Sequence, residues 1–76
     1  MTETQKRVWE IWKETFTEID VGLDDNFFEI GGDSIKAMNI ISKIRAELFE
    51  LDVNYFFEYQ TIREIADKID EELNRR

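Results

Sequence analysis

The chain contains no cysteine, no histidine and no proline, and only three glycines. Without cysteine there is no disulfide, no thiolate metal site and no native thiol nucleophile. Without histidine the commonest general base and the commonest metal ligand are missing. The lack of proline, with glycine confined to Gly22, Gly31 and Gly32, suits helices joined by a few defined loops. Basic residues are outnumbered, ten Lys and Arg against eighteen Asp and Glu, for a net charge of −8. Phosphate recognition wants a basic face, so nucleic acid is a poor partner, and proteins with positive patches are better ones. No apolar run is long enough to cross a membrane. The N-terminus is rich in Thr and Glu rather than apolar, unlike a secretory signal. A soluble cytoplasmic protein, monomeric and without a membrane or nucleic-acid role, is the resulting expectation.

What the chain does have is enough to fold. Its 76 residues, 42% apolar and 13% aromatic, suit one domain over residues 1–76 with one modest core. The periodicity predicts an all-α protein, a four-helix bundle of three long helices and a short third one. The first helix is expected from about Glu3 to about Glu18, with a Thr2–Gln5 capping box and a stripe of Val8, Ile11, Trp12, Phe16 and Ile19. Trp9 sits beside that stripe. A long loop follows to Asp33, anchored by Val21, Leu23, Phe27, Phe28 and Ile30 and expected to pack across the helices. The second helix starts at Ser34 with Asp33 as its N-cap and carries Ala37, Ile40, Ile41, Ile44 and Leu48 on its core face. A short helical turn spans about Asn54 to Glu58. The last helix follows the Thr61–Glu64 capping box, with Ile62, Ile65, Ala66, Ile69 and Leu73 as its stripe. Arg75 and Arg76 are expected to answer the negative end of its dipole.

The stretch Gly31-Gly32-Asp33-Ser34-Ile35, just after Asn26-Phe27-Phe28, is the one that suggests chemistry. Two glycines free the backbone ahead of a serine at a helix start, where another protein can reach the hydroxyl. Taken alone, the tetrapeptide reads first as a plain helix start. Self-sufficient catalysis fails on inventory. A hydrolase elbow needs glycine where Lys36 stands, and a Ser–His pair needs a histidine. Lys36 lies only two residues from Ser34 on the same helix and so points elsewhere, and nothing marks Lys36 or Lys43 as a buried base. Asp20, Asp24, Asp25 and Asn26 lack the alternating ligands of a calcium loop and read as solvated; no metal site is expected. Ile35 and Met38 fall off the core stripe of the second helix, close to the serine. They either pack under the long loop or form a docking patch for a partner, extended by one of Tyr55, Phe56 and Phe57, with Phe57 the candidate.

These residues resemble a known signature. Asp25-Asn26-Phe27-Phe28-Glu29-Ile30-Gly31-Gly32-Asp33-Ser34-Ile35-Lys36-Ala37-Met38 is similar to that of peptidyl carrier proteins, the thiolation domains of nonribosomal peptide synthetases. Phe56-Phe57, Tyr59-Gln60-Thr61-Ile62 and Ile65-Ala66 resemble the family's third helix and the start of its fourth. The resemblance implies that Ser34, flanked by Gly32 and Asp33, is modified by a phosphopantetheinyl transferase. That enzyme, with magnesium, transfers 4′-phosphopantetheine from coenzyme A onto the serine oxygen. It implies loading by an adenylation enzyme, then work by condensation, tailoring or thioesterase domains, in antibiotic or other secondary-metabolite synthesis. The chain itself is then a carrier and not an enzyme. Having neither thiol nor base, it must take both from elsewhere. The helix start is expected to favour the phosphodiester anion. Two departures stand out: Gln60 where the family commonly has proline, a loss that loosens the approach to the last helix unless Thr61 and Glu64 offset it, and Ile35 where leucine is frequent. A carrier for fatty acid or polyketide synthesis, and an acidic helical interaction module with Ser34 as a mere helix-start residue, are the alternatives.

Overall fold

The computed structural model describes residues 1–75; Arg76, expected at the dipole end of the last helix, lies outside them. The four helices are α1 (Glu3–Thr15), α2 (Ser34–Glu47), α3 (Tyr55–Glu58) and α4 (Ile62–Leu73), the all-α bundle with a short third helix that the periodicity predicts. All three long helices start as their caps dictate. In α1 the Thr2 hydroxyl accepts from Gln5 N–H at 3.0 Å while Gln5 Oε1 accepts from Thr2 N–H at 2.8 Å. In α4 the Thr61 hydroxyl accepts from Glu64 N–H at 3.1 Å, but the Glu64 carboxylate takes the Thr61 hydroxyl at 3.0 Å rather than the Thr61 N–H, so the expected capping box is half formed. Each cap satisfies an otherwise orphaned backbone donor at the helix N-terminus.

α1 packs against both α2 and α4, and its buried face meets Ile40, Ile41 and Ile44 of α2 and Ile62, Ile65, Ala66 and Ile69 of α4 in a single core. Polar ties reinforce these contacts at the surface. Thr4 donates to Asp70 at 2.6 Å across α1 and α4, and Lys43 of α2 pairs with Glu14 of α1. At the centre lies an aromatic cluster. Phe27 from the long loop meets Trp12 edge-on at 5.5 Å, Phe16 at 5.6 Å and Phe56 of α3 at 4.8 Å between ring centroids. Such pairs add about 0.5–1.5 kcal/mol each beyond the area they bury. They stand against the cost, about 1–3 kcal/mol, of the Trp12 indole N–H. That donor is buried with no hydrogen-bond partner among the described residues.

Four sequence expectations give way to packing. α1 stops at Thr15 rather than Glu18, because Phe16 adopts φ −104° and ψ 70° and turns its ring into the aromatic cluster. Ile19, past that break, is exposed, and so is Leu73 at the last residue of α4. Phe28 is not a core anchor but half-exposed, since Phe27 takes the only inward position of that adjacent pair. Of the three aromatics in α3, Phe56 is buried, Tyr55 partly covered and Phe57 exposed.

The long loop, residues 16–33, is stitched onto the start of α4. Leu23 C=O accepts from Arg63 N–H at 3.0 Å, and Phe27 N–H donates to Gln60 C=O at 2.7 Å. The Arg63 guanidinium grips both oxygens of Asp24, at 2.7 and 3.1 Å, which holds the Asp24 carboxyl below the usual carboxylate range. Trp9, partly exposed beside the α1 stripe, donates its indole N–H to Val21 C=O at 2.8 Å. No described helix is long and apolar enough to span a membrane.

Candidate functional site

Asp33 and the two glycines before it place the serine. Asp33 is extended (φ −144°, ψ −179°) and its Oδ1 accepts from Lys36 N–H at 2.9 Å. Ser34 is therefore the first helical residue, where its side chain projects from the end of α2. The residue is exposed, and no group among the described residues hydrogen-bonds its hydroxyl. The Lys36 backbone N–H, with the Lys36 ammonium at 3.4 Å adding to it, holds the Asp33 carboxyl below the usual range. Asp33 is thus an ionised cap engaged with Lys36, and Lys43 is paired with Glu14. The capping carboxylate also answers part of the helix dipole, leaving less of it for an added phosphodiester than a bare helix start implies.

The glycines do something more specific than free the backbone. Gly31 has φ +101°, a conformation that side-chain-bearing residues rarely adopt. Gly32 donates its N–H to Phe27 C=O at 2.9 Å. A Cβ on Gly32 would fall 2.4 Å from Phe27 Cε2 and 2.5 Å from Phe27 O, far inside van der Waals contact. The pair clamps the serine turn onto Phe27, and Phe27 sits in the core. Ser34 is consequently presented from a fixed platform.

Beside Ser34 lies a mainly apolar cleft of about 240 Å³. Its floor is buried Ile41 and Phe56, and Phe28, Met38 and Phe57 stand around it. Phe57 is 73% exposed. The structure therefore brings together Ser34, Asp33, Met38 and Phe57 from the residues singled out in the sequence. Ile35, 75% exposed, projects from the same end of α2 but does not line the cleft. Phe28 and Val53 line it, and sequence reasoning missed both. Phe27 and Phe28 lie in a hydrogen-bonded turn, and nothing in the sequence says which of the two rings faces outward. Val53 carries no signal either. Among the described residues no acidic cluster is arranged to hold a metal ion.

An exposed hydroxyl thus stands on a braced helix start, at the rim of an apolar cleft in a small helical bundle. The family described as phosphopantetheine attachment site matches residues 6–69, and the chain belongs to it. Over 74 residues, 97% of the chain, it is 38% identical to bacitracin synthase 2 of Bacillus licheniformis, spanning only 3% of that protein's length. Its fold is similar to BlmI, a type-II acyl carrier protein from Streptomyces verticillus involved in bleomycin biosynthesis. The TM-score is 0.85 at 27% identity, covering 92% of this chain and 86% of that one. It is also similar to a chain of the solved complex of the phosphopantetheine transferase Sfp with coenzyme A and a peptidyl carrier protein. There the TM-score is 0.82 at 29% identity, covering 93% and 94% of the two chains. The residues present fit 4′-phosphopantetheine, the group this family carries. The hydroxyl is open and uncommitted, and the cleft beside it suits the apolar parts of an arm or of a partner.

Proposed function

We propose that this chain is a peptidyl carrier unit of nonribosomal peptide synthesis, holding an aminoacyl or peptidyl group on a 4′-phosphopantetheine arm at Ser34. The observation that carries the reading is the exposed, unpartnered Ser34 hydroxyl on a turn locked to the core by Gly31, Gly32 and Phe27. In the attachment step the Ser34 oxygen forms a bond to the β-phosphorus of coenzyme A. The bond from that phosphorus to the adenosine 3′,5′-bisphosphate leaving group breaks, and the serine proton passes to a base on the transferase. The chain supplies nucleophile and position only, since Asp33, Lys36 and Lys43 are held in ion pairs. Bound, the group supplies the terminal thiol that the sequence lacks, as a site for a thioester.

Met38 and Phe57, with Ile35, Phe28 and Val53 around them, form the surface that partners meet. A large apolar side chain left in water at Phe57 recovers about 1.5–3 kcal/mol when a partner covers it, which is a reason for its exposure. The partners are a phosphopantetheinyl transferase and an adenylation enzyme first, then condensation, tailoring or thioesterase domains, in the cytoplasm. Residues 1–76 act as one monomeric carrier, with no catalysis of their own.

The test is incubation with coenzyme A, magnesium and a broad-specificity transferase, followed by intact-mass analysis. One phosphopantetheinyl addition to the wild-type chain and none to Ser34→Ala is the expected result. Addition to a folded Ser34→Ala chain overturns the site, and no addition to the wild type leaves an acidic interaction module. Preference of the loaded arm for malonyl over aminoacyl transfer moves the chain to the fatty acid or polyketide class.

A further inference from the structure

The two sides of the cleft beside Ser34 are outward-facing rings, each next in sequence to a ring anchored in the core, Phe27 for Phe28 and Phe56 for Phe57. Phe28 is on the long loop. Phe57 is on α3, a single turn of four residues whose N-cap, Asn54, makes no side-chain capping bond. One turn is far too short to hold itself as a helix. Phe56 anchors α3 through burial, but Phe57, the next residue, points out and takes its position from the backbone alone.

A chain of amide hydrogen bonds connects the two sides. Phe28 N–H donates to Asn26 Oδ1 at 2.9 Å. Asn26 Nδ2 donates to Gln60 Oε1 at 2.9 Å. Gln60 Nε2 donates to Phe57 C=O at 3.3 Å. Each primary amide uses its oxygen toward one neighbour and its nitrogen toward the next, so reversing either would set like ends against each other. Asn26 Oδ1 also accepts from Glu29 N–H at 3.2 Å, and the Gln60 backbone oxygen takes Phe27 N–H at 2.7 Å. The central bond, between Asn26 and Gln60, is partly buried and holds better than it would in open water, while the outer bonds to Phe28 N–H and Phe57 C=O are exposed. Gln60, expected from the sequence to loosen the approach to α4, instead ties the loop, α3 and the start of α4 together.

We propose that the Asn26–Gln60 pair is a positioning clamp that fixes the spacing of Phe28 and Phe57 across the cleft, and thereby sets how well the carrier docks on its transferase. This rests on the reading of the cleft surface as the docking face. Neither residue touches the reacting oxygen, so the effect belongs in recognition and not in the chemical step. Removing the side-chain bonds leaves the backbone bond from Phe27 N–H to Gln60 C=O and the Phe27–Phe56 ring contact in place, but unties the outward residues Phe28 and Phe57 from each other, and a partner must then fix their spacing on binding.

The experiment compares Gln60→Leu, which deletes both side-chain bonds at similar size, with Gln60→Glu, which keeps an acceptor for Asn26 and loses the donor to Phe57. Two readouts are taken on the full chain: transferase kinetics with the carrier as varied substrate, and amide hydrogen exchange of residues 26–29 and 55–59 in the unmodified protein. Gln60→Leu is expected to raise KM for the carrier about three- to tenfold, the range for ordering one or two groups at an interface, with kcat unchanged and faster exchange in both segments. Gln60→Glu is expected to restore slow exchange in residues 26–29 only, with an intermediate KM. Unchanged KM, a fall in kcat in place of a rise in KM, or exchange rates that match the wild type would each overturn the clamp. The final phosphopantetheinyl mass at saturating carrier is the same for all three chains if Ser34 is the site. A failure of that mass is a failure of the carrier reading, and the exchange data judge the clamp regardless.

Discussion

Gly32→Ala is the sharpest test of how the serine turn is held. The added methyl has no free direction. It would sit 2.4 and 2.5 Å from two carbons of the Phe27 ring and 2.5 Å from the Phe27 carbonyl oxygen. The ring cannot swing away, because it is fully buried against Trp12, Phe16 and Phe56. The carbonyl cannot retreat without losing the 2.9 Å bond from Gly32 N–H. Either the aromatic cluster or the turn must shift, and overpacking of that kind costs about 1–3 kcal/mol. In a chain this small, a destabilisation of about 2 kcal/mol lowers the melting temperature by roughly 8–16 °C. With a urea m-value near 1 kcal/mol/M it moves the unfolding midpoint by about 2 M. Gly31→Ala is the comparison. It meets nothing within 4 Å, and its cost comes only from the left-handed backbone at φ +101°, about 1–2 kcal/mol. The measurement is urea unfolding followed by circular dichroism. Phosphopantetheinylation rates then show whether the shifted turn still offers Ser34. A Gly32→Ala midpoint within a few tenths molar of wild type would refute the claim that the turn is clamped to the core through Phe27.

Met38→Glu and Phe57→Glu place a charge on the exposed rim of the cleft, where neither native side chain supports the core; helicity should be retained while handover to a partner slows about tenfold or more, and unchanged transfer kinetics would remove that residue from the docking surface. Acid should weaken the α2 cap in a defined direction. The Asp33 carboxyl titrates lower in the folded chain than in the unfolded one because the Lys36 N–H and ammonium stabilise its anion, so its contribution is complete above the ordinary aspartate range and is lost as pH falls through the lower folded value. Asp33→Asn keeps a side-chain acceptor but cannot titrate, so the difference in melting temperature between wild type and this variant should shrink as pH drops through that window; a difference independent of pH would sink the assignment.

The local features were legible because their partners lie three or four residues away. Thr2 with Gln5, Asp33 with Lys36 and Thr61 with Glu64 are capping contacts within one turn, and the apolar stripes of α1, α2 and α4 repeat at helical spacing. The same locality exposed Ile35 and Met38, whose angular position on α2 is fixed by counting residues. The family signature, from Asp25 to Met38, is contiguous in the chain and so singles out Ser34 without any long-range contact. What stayed hidden depends on contacts between distant segments. The break after Thr15 follows from where Phe16 finds Phe27. Phe56, and not Tyr55 or Phe57, goes inward because only it meets Phe27 and Trp12. Gln60 looked like a weakened helix approach until the fold set it against Asn26, far away in the chain.

Composition and interactions that close within a turn are enough to make this protein a helical bundle, to leave it no thiol or histidine with which to do chemistry, and to open a helix at the serine behind the glycine pair. Long-range packing is what locks the serine turn onto a buried ring through its glycines, and what bounds the cleft beside it with Phe28 and Phe57 across an amide chain. Those facts are set by which surfaces meet when the loop packs on α3 and α4, and that meeting is fixed by the core as a whole.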